Sequence, residues 1–200
     1  MPSAIDDFKA VEYWDSFFKA RADKGAFEWF CSCEDLLPLI ADDLGGHGSG
    51  GGVVLHIGSG NSDLGAALAQ RWRGVAVLNV DYSRVGLEEL ASHDDRRDSG
   101  SSSGGGGIGG RTQEYLVADA LRLPLRPSSC ACAVDKGLVD AMMTSDDAET
   151  RGRCSAVFSE VGKALTSGAP LHLVSLAQDH ILALLAHVGA RVSTSAPRDP

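Results

Sequence analysis

From Val53 onward the chain alternates short apolar runs with longer segments of helical periodicity, and this alternation constrains the fold most. Strands that alternate with helices pair in parallel, and a parallel sheet needs helices on both faces. The pattern therefore predicts a doubly wound, mostly parallel α/β domain. We predict strands over residues 53–57, 75–80, 115–118, 131–134 and 171–176, and a further strand-like run over 191–195.

The helices are predicted from apolar spacing and capping residues. Ahead of the first strand, residues 1–44 indicate a helical segment with amphipathic helices over 11–24 and 27–44. Ser83 is a suitable N-cap for a helix through Ser92. The other helices are predicted over 63–72, over 146–165, and from the fifth strand to about His187.

Two glycine-rich stretches interrupt this pattern. Residues 45–52 contain six glycines and residues 100–110 contain seven, out of 24 in the chain. Neither composition buries a core, so we predict flexible loops over 45–52 and 94–112. At 200 residues, the remainder forms a single domain with its α/β core over 53–195.

The formal net charge of −9 bears on partners and location. An acidic surface repels phosphate backbones and anionic lipid, which argues against nucleic-acid and membrane partners and favours a basic macromolecule or a small cationic ligand. No apolar run approaches the ~20 residues of a membrane span, and the N-terminus lacks a signal pattern. We therefore expect a soluble, cytoplasmic protein.

The five cysteines include two C-x-C pairs, at Cys31 and Cys33 and at Cys130 and Cys132. Zinc sites usually place two to four residues between paired ligands. Cys130 and Cys132 lie in an apolar, strand-like run and share one face of it. We predict buried thiols that pack as small hydrophobic groups, and no metal site.

The first predicted strand leads into a turn with the sequence GSGNS, which contains Gly58 and Gly60. In doubly wound sheets, ligands bind beyond the carboxyl ends of the strands. Glycines there let a ligand approach the backbone, and the following helix offers free N–H donors. The alternative is a plain tight turn without a ligand.

Acidic residues follow the second and third strands. Asp81 stands 21 residues beyond Gly60, where a carboxylate accepts from both ribose hydroxyls; a helix cap shared with Ser83 is the alternative. Asp63 occupies the place of the third glycine of a dinucleotide fingerprint and would repel a pyrophosphate. S-adenosylmethionine is a nucleoside with no phosphate and a cationic sulfur. Asp119 is placed to accept from its adenine amino group, although it is equally consistent with a loop carboxylate.

The order of GSGNSDL, NVDYS, ADA and VDKGLVDA resembles the class I (seven-β-strand, Rossmann-like) S-adenosylmethionine-dependent methyltransferases. More narrowly, VEYWDSFF, FEWF, SEVGKAL and SLAQDHIL resemble the methyltransferase-like group that acts on lysines or the N-terminus of elongation factor 1-alpha. Within that group the likeness is to the N-terminal domain of the two-domain member. It covers about residues 11–192.

The resemblance implies roles for particular residues. It implies an aromatic lid over the cofactor, a turn beneath its amino-acid portion, a carboxylate for its ribose and neighbours for its adenine. The lid would consist of Trp14, Phe18 and Trp29, and the turn would contain Gly58 and Gly60. Asp81 would hold the ribose, and Tyr82, Asp119 and Ala120 would lie beside the adenine. Lys136 would complete the cofactor site. Asp135 and Asp140 would lie near the acceptor entrance and position the acceptor. Aromatic residues at helical spacing also suit a core, which is the alternative for Trp14 and Phe18.

Two departures from the family pattern stand out. His56 replaces an acid that many relatives place before the first motif glycine to hold the ammonium group of the cofactor. The sequence also stops soon after residues 191–195, so we expect that the last strand or strands are missing and that the fifth strand has an unpaired edge.

The predicted function is methyl transfer from S-adenosylmethionine to a lysine or N-terminal amine of a protein such as elongation factor 1-alpha. A small-molecule methyltransferase and a non-catalytic adaptor with the same fold are the alternatives.

Overall fold

The computed structural model describes residues 6–45, 52–72, 74–100 and 113–188. Its five strands form one parallel sheet in the order β3-β2-β1-β4-β5. The strands are β1 (Val53–Ile57), β2 (Ala76–Asp81), β3 (Gln113–Val117), β4 (Cys132–Lys136) and β5 (Leu171–Val174). This confirms the predicted doubly wound α/β fold. The predicted strand over 191–195 lies outside the described residues.

The order of the strands reverses at β1, which pairs with β2 on one side and with β4 on the other. Val53 is opposite Ala76, and Ile57 is opposite both Val80 and Asp135. Because all strands are parallel, the carboxyl ends of β1, β2 and β4 meet at one edge of the sheet. A reversal of this kind leaves a crevice at that edge.

Besides the sheet and the connecting loops, the described residues form seven α-helices and two 3₁₀ turns. The helices are α1 (Val11–Lys19), α2 (Cys33–Gly45), α3 (Leu64–Arg71), α4 (Arg84–Gly100), α5 (Leu138–Met142), α6 (Ala148–Ala164) and α7 (Asp179–His187). The 3₁₀ turns cover Asp6–Lys9 and Ala22–Lys24. Among the helices in these ranges, none has the length and apolar character needed to cross a membrane.

The sheet separates two apolar clusters. On one face, α2 and α3 contribute Leu36, Ile40, Leu64 and Leu68, which pack against Val54. On the other face, residues of α6 such as Val157 and Val161 pack against Leu55 and Ile57. Alternate residues of β1 therefore face opposite clusters, as expected for a strand buried on both sides.

Cys132 in β4 is buried, and so is Cys130, which forms an isolated β-bridge just before that strand. Cys130 and Cys132 are inaccessible to solvent, each packed in one of the two apolar clusters. This confirms that they pack as small hydrophobic groups. They lie in different clusters, however, because Cys130 precedes the strand and does not continue its alternation.

The prediction of a helix over residues 27–44 is wrong for its first part, since α2 begins at Cys33. The backbone N–H of Phe27 donates to Asn61 Oδ1 at 3.1 Å, and the Asn61 amide donates to the carbonyl of Gly25 at 3.3 Å. Phe30 has a φ of 62°, which no helix interior tolerates. These contacts hold residues 25–32 as an irregular segment against the β1–α3 turn.

Other predicted bounds also shift. The helix predicted over 11–24 ends at Lys19, and the 3₁₀ turn follows it. Helix α4 continues past Ser92 to Gly100, so the predicted loop over 94–112 is helical over its first residues. The remainder of that stretch, and residues 46–51 of the other one, lie outside the described residues.

The short helix α5 was not predicted from the sequence. Its first N–H groups are satisfied by the Asp135 carboxylate, which accepts from Leu138 N at 2.8 Å and from Val139 N at 3.2 Å. Gly137 lies between them with a φ of 98°. Burial raises the pKa of Asp135 to about 7, although these N–H donors oppose the shift.

We predict that Gly65→Ala destabilises the protein. A Cβ at this position of α3 would lie 2.4 Å from Gln113 Oε1 and 2.5 Å from Asn79 Oδ1, which belong to a buried polar network. Overpacking of this kind costs about 1–3 kcal/mol. Chemical denaturation measures the loss. In the control Gly152→Ala, the new methyl group on α6 meets no atom within 4 Å, so a gain of roughly 0.5–1 kcal/mol is expected. A loss in both variants, or in neither, would contradict the packing argument.

We predict that Asp135 makes stability depend on pH. Its folded pKa, about 7, lies above its ordinary value of 3.8. Its stabilising contribution is therefore complete below the ordinary value and is lost as pH rises toward the folded one, by up to about 1.4 kcal/mol per pH unit. Urea unfolding at several pH values between 4.5 and 7.5 should give a more negative pH slope for the wild type than for Asp135→Asn.

The exposed residue Asp23 provides the control for this measurement. The stability of Asp23→Asn should follow the wild-type pH dependence throughout the range. Parallel pH profiles for the wild type and Asp135→Asn would refute the assignment to Asp135.

Candidate functional site

A cleft of about 1000 Å³, open to solvent, lies at the carboxyl ends of β1, β2 and β4. Its walls come from the sheet edge, from the irregular segment over residues 25–32 and from the N-terminal helical turns. All ten residues predicted to bind a cofactor line it: Trp14, Phe18, Trp29, Gly58, Gly60, Asp81, Tyr82, Asp119, Ala120 and Lys136. The structure thus brings together residues from widely separated parts of the chain.

The turn between β1 and α3 forms the floor of the cleft. Gly58 and Gly60 have positive φ angles of 65° and 52°. A Cβ on Gly58 would lie 2.6 Å from the Leu138 side chain, and one on Gly60 would lie 2.8 Å from the ring of Phe18. The protein itself therefore excludes side chains here, so close packing and backbone conformation require both glycines even without a ligand.

Ser59 stands between these glycines. Its backbone N–H donates to the carbonyl of Val80 at 3.1 Å, which fixes the turn against the end of β2. The side chain is only 3% exposed, and its hydroxyl has no hydrogen-bond partner within the described residues. A buried hydroxyl at the wall of a cleft is suited to bond a ligand, since leaving it unpaired costs free energy.

Asp81 ends β2 and is buried. One of its oxygens accepts from Gly60 N at 2.8 Å and the other from Ser83 N at 2.8 Å. Burial raises its pKa to about 6, against the lowering effect of these N–H donors. Asp81 therefore caps the turn at Ser83 and also lines the cleft. Each of its oxygens keeps a second lone pair that can accept a hydrogen bond. The two interpretations of this residue are compatible.

Tyr82 is the neighbour of Asp81 and holds the N-terminal segment. Its hydroxyl donates to the carbonyl of Phe8 at 3.3 Å, and the same carbonyl accepts from Trp14 Nε1 at 2.9 Å. Burial raises the pKa of Tyr82 above its ordinary value, so the phenol is protonated at neutral pH. One carbonyl thereby ties α1 and the end of β2 to the first 3₁₀ turn.

The aromatic residues on α1 and on residues 25–32 pack together above the turn. The rings of Trp14 and Trp29 are 6.3 Å apart, and both lie on the cleft wall. Phe18 is 5% exposed and packs against the backbone at Gly60 and Gly86, where a Cβ on either glycine would lie 2.8 Å from its ring. Phe18 therefore belongs to the packing of the turn as well as to the cleft wall.

Polar contacts anchor this aromatic wall to the α/β core. The Ser83 hydroxyl donates to the Asp15 carboxylate at 2.6 Å and accepts from Gly86 N at 3.1 Å. Ser83 thus caps α4, as predicted, and also binds α1. The Arg21 guanidinium lies 5.4 Å from the centre of the Phe17 ring on α1 and 4.6 Å from that of Phe27, which joins α1 to residues 25–32.

Asp119 and Ala120 follow β3 and close the far end of the cleft. The Asp119 carboxylate accepts from Leu121 N at 2.9 Å, as in an Asx turn, and its residue is exposed. Arg153 of α6 and Lys9 also line the cleft. The cleft therefore has cationic as well as acidic side chains on its rim.

Asp135 and Asp140, predicted near the acceptor entrance, are not on the cleft wall. Asp135 caps α5, and Asp140 accepts from Leu176 N at 3.0 Å. Between them they fix α5, whose residues Leu138, Ala141 and Met142 do line the cleft. The role of Asp135 and Asp140 in positioning an acceptor stays a prediction. Because neither residue lines the cleft, such a role would act through α5.

His56 lies at the base of the cleft on β1. Its Nδ1 is 3.0 Å from Asn79 Oδ1, and burial lowers its pKa to about 4. The imidazole is therefore neutral near pH 7, as anticipated from the sequence, and supplies no charge for an ammonium group.

The functional residue that the sequence interpretation missed is Glu28, on the cleft wall. Its carboxylate accepts from Asp63 N at 2.8 Å, from the Ser62 hydroxyl at 2.9 Å and from Lys136 Nζ. The Cys33 thiol also donates to it at 3.4 Å, and burial raises the pKa of that thiol to about 12. The only sequence signal for Glu28 was its place between the aromatic residues of FEWF.

Comparison with known proteins identifies relatives over most of the chain, although no family model matches it. The eEF1A lysine and N-terminal methyltransferase of Xenopus laevis is 30% identical over 183 residues, and that of Homo sapiens is 29% identical over 184 residues. Both alignments cover 91% of this chain. The chain spans about a quarter of the length of these curated relatives, 24% in each case.

Solved structures show the same fold. A SAM-dependent methyltransferase from Methanosarcina mazei has a TM-score of 0.52 and 25% identity, with 75% of this chain and 62% of that chain covered. A phosphoethanolamine N-methyltransferase 1 from Haemonchus contortus, in complex with S-adenosylhomocysteine, has a TM-score of 0.51 and 18% identity, with coverages of 84% and 33%.

Fold and sequence similarity agree with the likeness drawn from the motifs. The chain has the class I methyltransferase fold and is a homologue of one segment of the eEF1A lysine and N-terminal methyltransferases.

Proposed function

We propose that this chain binds S-adenosylmethionine in the cleft and transfers its methyl group to a lysine or N-terminal amine of a protein. The observation that supports this most is Asp81. It is buried at the end of β2, bonded to Gly60 N at 2.8 Å, and faces the cleft where the strand order reverses. A ligand on the β1–α3 turn would have its ribose hydroxyls beside this carboxylate.

The residues of the cleft fit this cofactor. The unpartnered hydroxyl of Ser59 offers a hydrogen bond, and Asp81 offers acceptors for two ribose hydroxyls. Trp14 and Trp29 supply apolar surface for the adenosine and the sulfur. Asp63, directly before α3, disfavours a phosphate at that helix terminus, in keeping with a ligand that has none.

When bound, S-adenosylmethionine supplies a methyl group activated by the positive charge on its sulfur. The chain supplies alignment and a site with little water. Asp81 orients the ribose, and the aromatic wall of α1 and residues 25–32 covers the cleft. The formal net charge of −9 favours a cationic ligand.

An amine acceptor must enter as the neutral base. With a reference pKa near 10.4, deprotonation of a lysine at pH 7 costs about 4.6 kcal/mol. The apolar residues Leu138, Ala141 and Met142 line the cleft and favour the neutral amine by desolvating it. We assign Asp135 and Asp140 to positioning of the acceptor through α5, because both carboxylates bond to backbone N–H groups.

Elongation factor 1-alpha is the first protein acceptor to test. The curated relatives carry its lysines and N-terminus in their names. The acidic charge of this chain suits a basic partner, and a cytoplasmic location would bring enzyme and acceptor together. A small-molecule acceptor and a non-catalytic role are the competing outcomes of the tests below.

We predict that S-adenosylhomocysteine stabilises the protein and that Asp81→Ala removes most of this effect. At 100 times its dissociation constant a ligand adds about 2.7 kcal/mol, and each kcal/mol raises the midpoint by roughly 2–4 °C. Thermal unfolding of each variant with and without ligand measures the shift, so any intrinsic loss of stability cancels. The matched control is Asp23→Ala, at an exposed position outside the cleft. A full shift in Asp81→Ala would refute the assigned role of Asp81.

We predict that the affinity for S-adenosylhomocysteine falls at low pH. Asp81 has a pKa of about 6 because of its burial, and only its ionised form accepts from both ribose hydroxyls. Affinity should therefore be constant above about pH 7 and decrease by up to tenfold per unit below 6. Calorimetric titration from pH 8 to pH 5 measures this, and in Asp81→Asn the decrease should be absent. An equal decrease in that variant would assign the titration to another group.

We predict that the protein transfers label from radioactive S-adenosylmethionine to purified elongation factor 1-alpha. The acidic net charge of the chain and the apolar residues of α5 should admit an amine of a basic protein. Peptide mass spectrometry locates the methyl group, and the matched control is Asp81→Ala.

The remaining outcomes separate the alternatives. Label on metabolites of a lysate, and none on protein, would favour a small-molecule acceptor. Binding without transfer to any fraction would favour the adaptor.

A further inference from the structure

Glu28 and Lys136 form an ion pair on the cleft wall. The Lys136 side chain is 2% exposed and the Glu28 side chain 23% exposed. The two residues come from distant parts of the chain, the irregular segment over residues 25–32 and the last position of β4. Their pairing brings one positive and one negative charge to the cleft beside the β1–α3 turn.

Lys136 has more donors than this partner satisfies. An ammonium group carries three N–H donors. Within the described residues, Glu28 is the one acceptor to which Lys136 donates. A buried ammonium is costly unless further hydrogen bonds satisfy its remaining protons. Because Lys136 also lines the cleft, a ligand anion is suited to complete them.

Glu28 lies next to the turn that is expected to pass beneath the amino-acid end of the ligand. It accepts from the Ser62 hydroxyl and from Asp63 N, two and three residues beyond Gly60. His56, the residue at the usual place of an acid, is neutral and bonded to Asn79. Asp63 is also acidic, but of Glu28, His56 and Asp63 only Glu28 is an acid on the cleft wall.

We propose that the Glu28–Lys136 pair binds the amino-acid end of S-adenosylmethionine. Lys136 donates to the ligand carboxylate, and Glu28 accepts from the ligand ammonium group. This inference rests on the proposed function and assigns to Glu28 a ligand contact besides its bonds to the turn. Opposite charges at fixed positions recognise a zwitterion, because each charge of the ligand meets its complement.

A purely structural role makes a different prediction. If Glu28 and Lys136 only hold residues 25–32 against the core, their loss weakens every ligand of the cleft equally. If they bind the amino-acid end, their loss weakens only ligands that have it. The two roles therefore separate in the ratio of two affinities.

The experiment compares S-adenosylhomocysteine with 5′-methylthioadenosine, which has the same nucleoside but no amino-acid end. Calorimetric titration gives both dissociation constants for the wild type, Glu28→Gln and Lys136→Met. We expect each variant to lose about 10–100-fold in affinity for S-adenosylhomocysteine, as for a lost hydrogen bond to a charged group, and less than about threefold for 5′-methylthioadenosine. The control Glu34→Gln changes an exposed acid in the first turn of α2 and should leave both constants unchanged.

Two further measurements keep the test decisive where a single variant misfolds. The double variant Glu28→Gln/Lys136→Met leaves no unpaired buried charge, so it should fold and show the same selective loss. The decarboxylated analogue of S-adenosylhomocysteine keeps the ammonium group, and its affinity should be insensitive to Lys136→Met.

Equal losses for all ligands would overturn the proposal and leave the pair a structural one. If the wild type binds 5′-methylthioadenosine but gains nothing from the amino-acid end, the proposal also fails while the cofactor site stands. If the wild type binds neither ligand, the proposed function itself fails.

Discussion

Carboxylates that accept from backbone N–H groups stabilise the edge of the sheet that borders the cleft. The first N–H groups of a helix have no partner within the helix, and they need acceptors when the helix begins inside the protein. Glu28 supplies one where α3 begins, Asp81 bonds to Ser83 N ahead of α4, and Asp135 supplies two for α5. Burial raises the pKa of Asp81 to about 6 and that of Asp135 to about 7, and the N–H donors offset part of the cost of ionising these two carboxylates.

The same arrangement explains why the N-terminal segment belongs to the site. Neither α1 nor residues 25–32 pair with the sheet, and specific bonds hold them over it. Asp15 accepts from Ser83, Asn61 accepts from Phe27 N, and Glu28 bonds with Lys136. The core-side partners lie in the turn between β1 and α3, in the turn between β2 and α4, and at the last position of β4. The aromatic wall is therefore fixed to the part of the sheet where the strand order reverses.

Local patterns in the sequence predicted the sheet and the cleft residues at its strand ends, such as Gly58, Gly60 and Asp81. The cleft residues Trp14, Phe18 and Trp29 were instead implied by the family resemblance. Short apolar runs predict buried strands, and the residues just after them reach one edge whatever the details of the helices. Residues 27–32 were predicted wrongly because their conformation depends on Asn61, 34 residues beyond Phe27. Glu28 was missed for the same reason, since Lys136 is 108 residues away in sequence. No periodicity in FEWF encodes such partners, and helical propensity is too weak to oppose them.

The neutral His56 and the charged Glu28 together show how the cleft manages its charge. His56 is 1% exposed, so an acid in its place would be buried on β1 and its pKa would be raised by burial. His56 bonds to Asn79, which donates to Gln113, and Gln113 in turn donates to the Asp94 carboxylate, so a hydrogen-bonded chain runs from β1 across β2 to β3 and α4. Residues 25–32 add the Glu28 carboxylate to those of Asp81 and Asp119 on the cleft wall, and Lys136 pairs with it. Because the same segment carries both Glu28 and Trp29, its placement brings this charge and part of the aromatic wall to the cleft together.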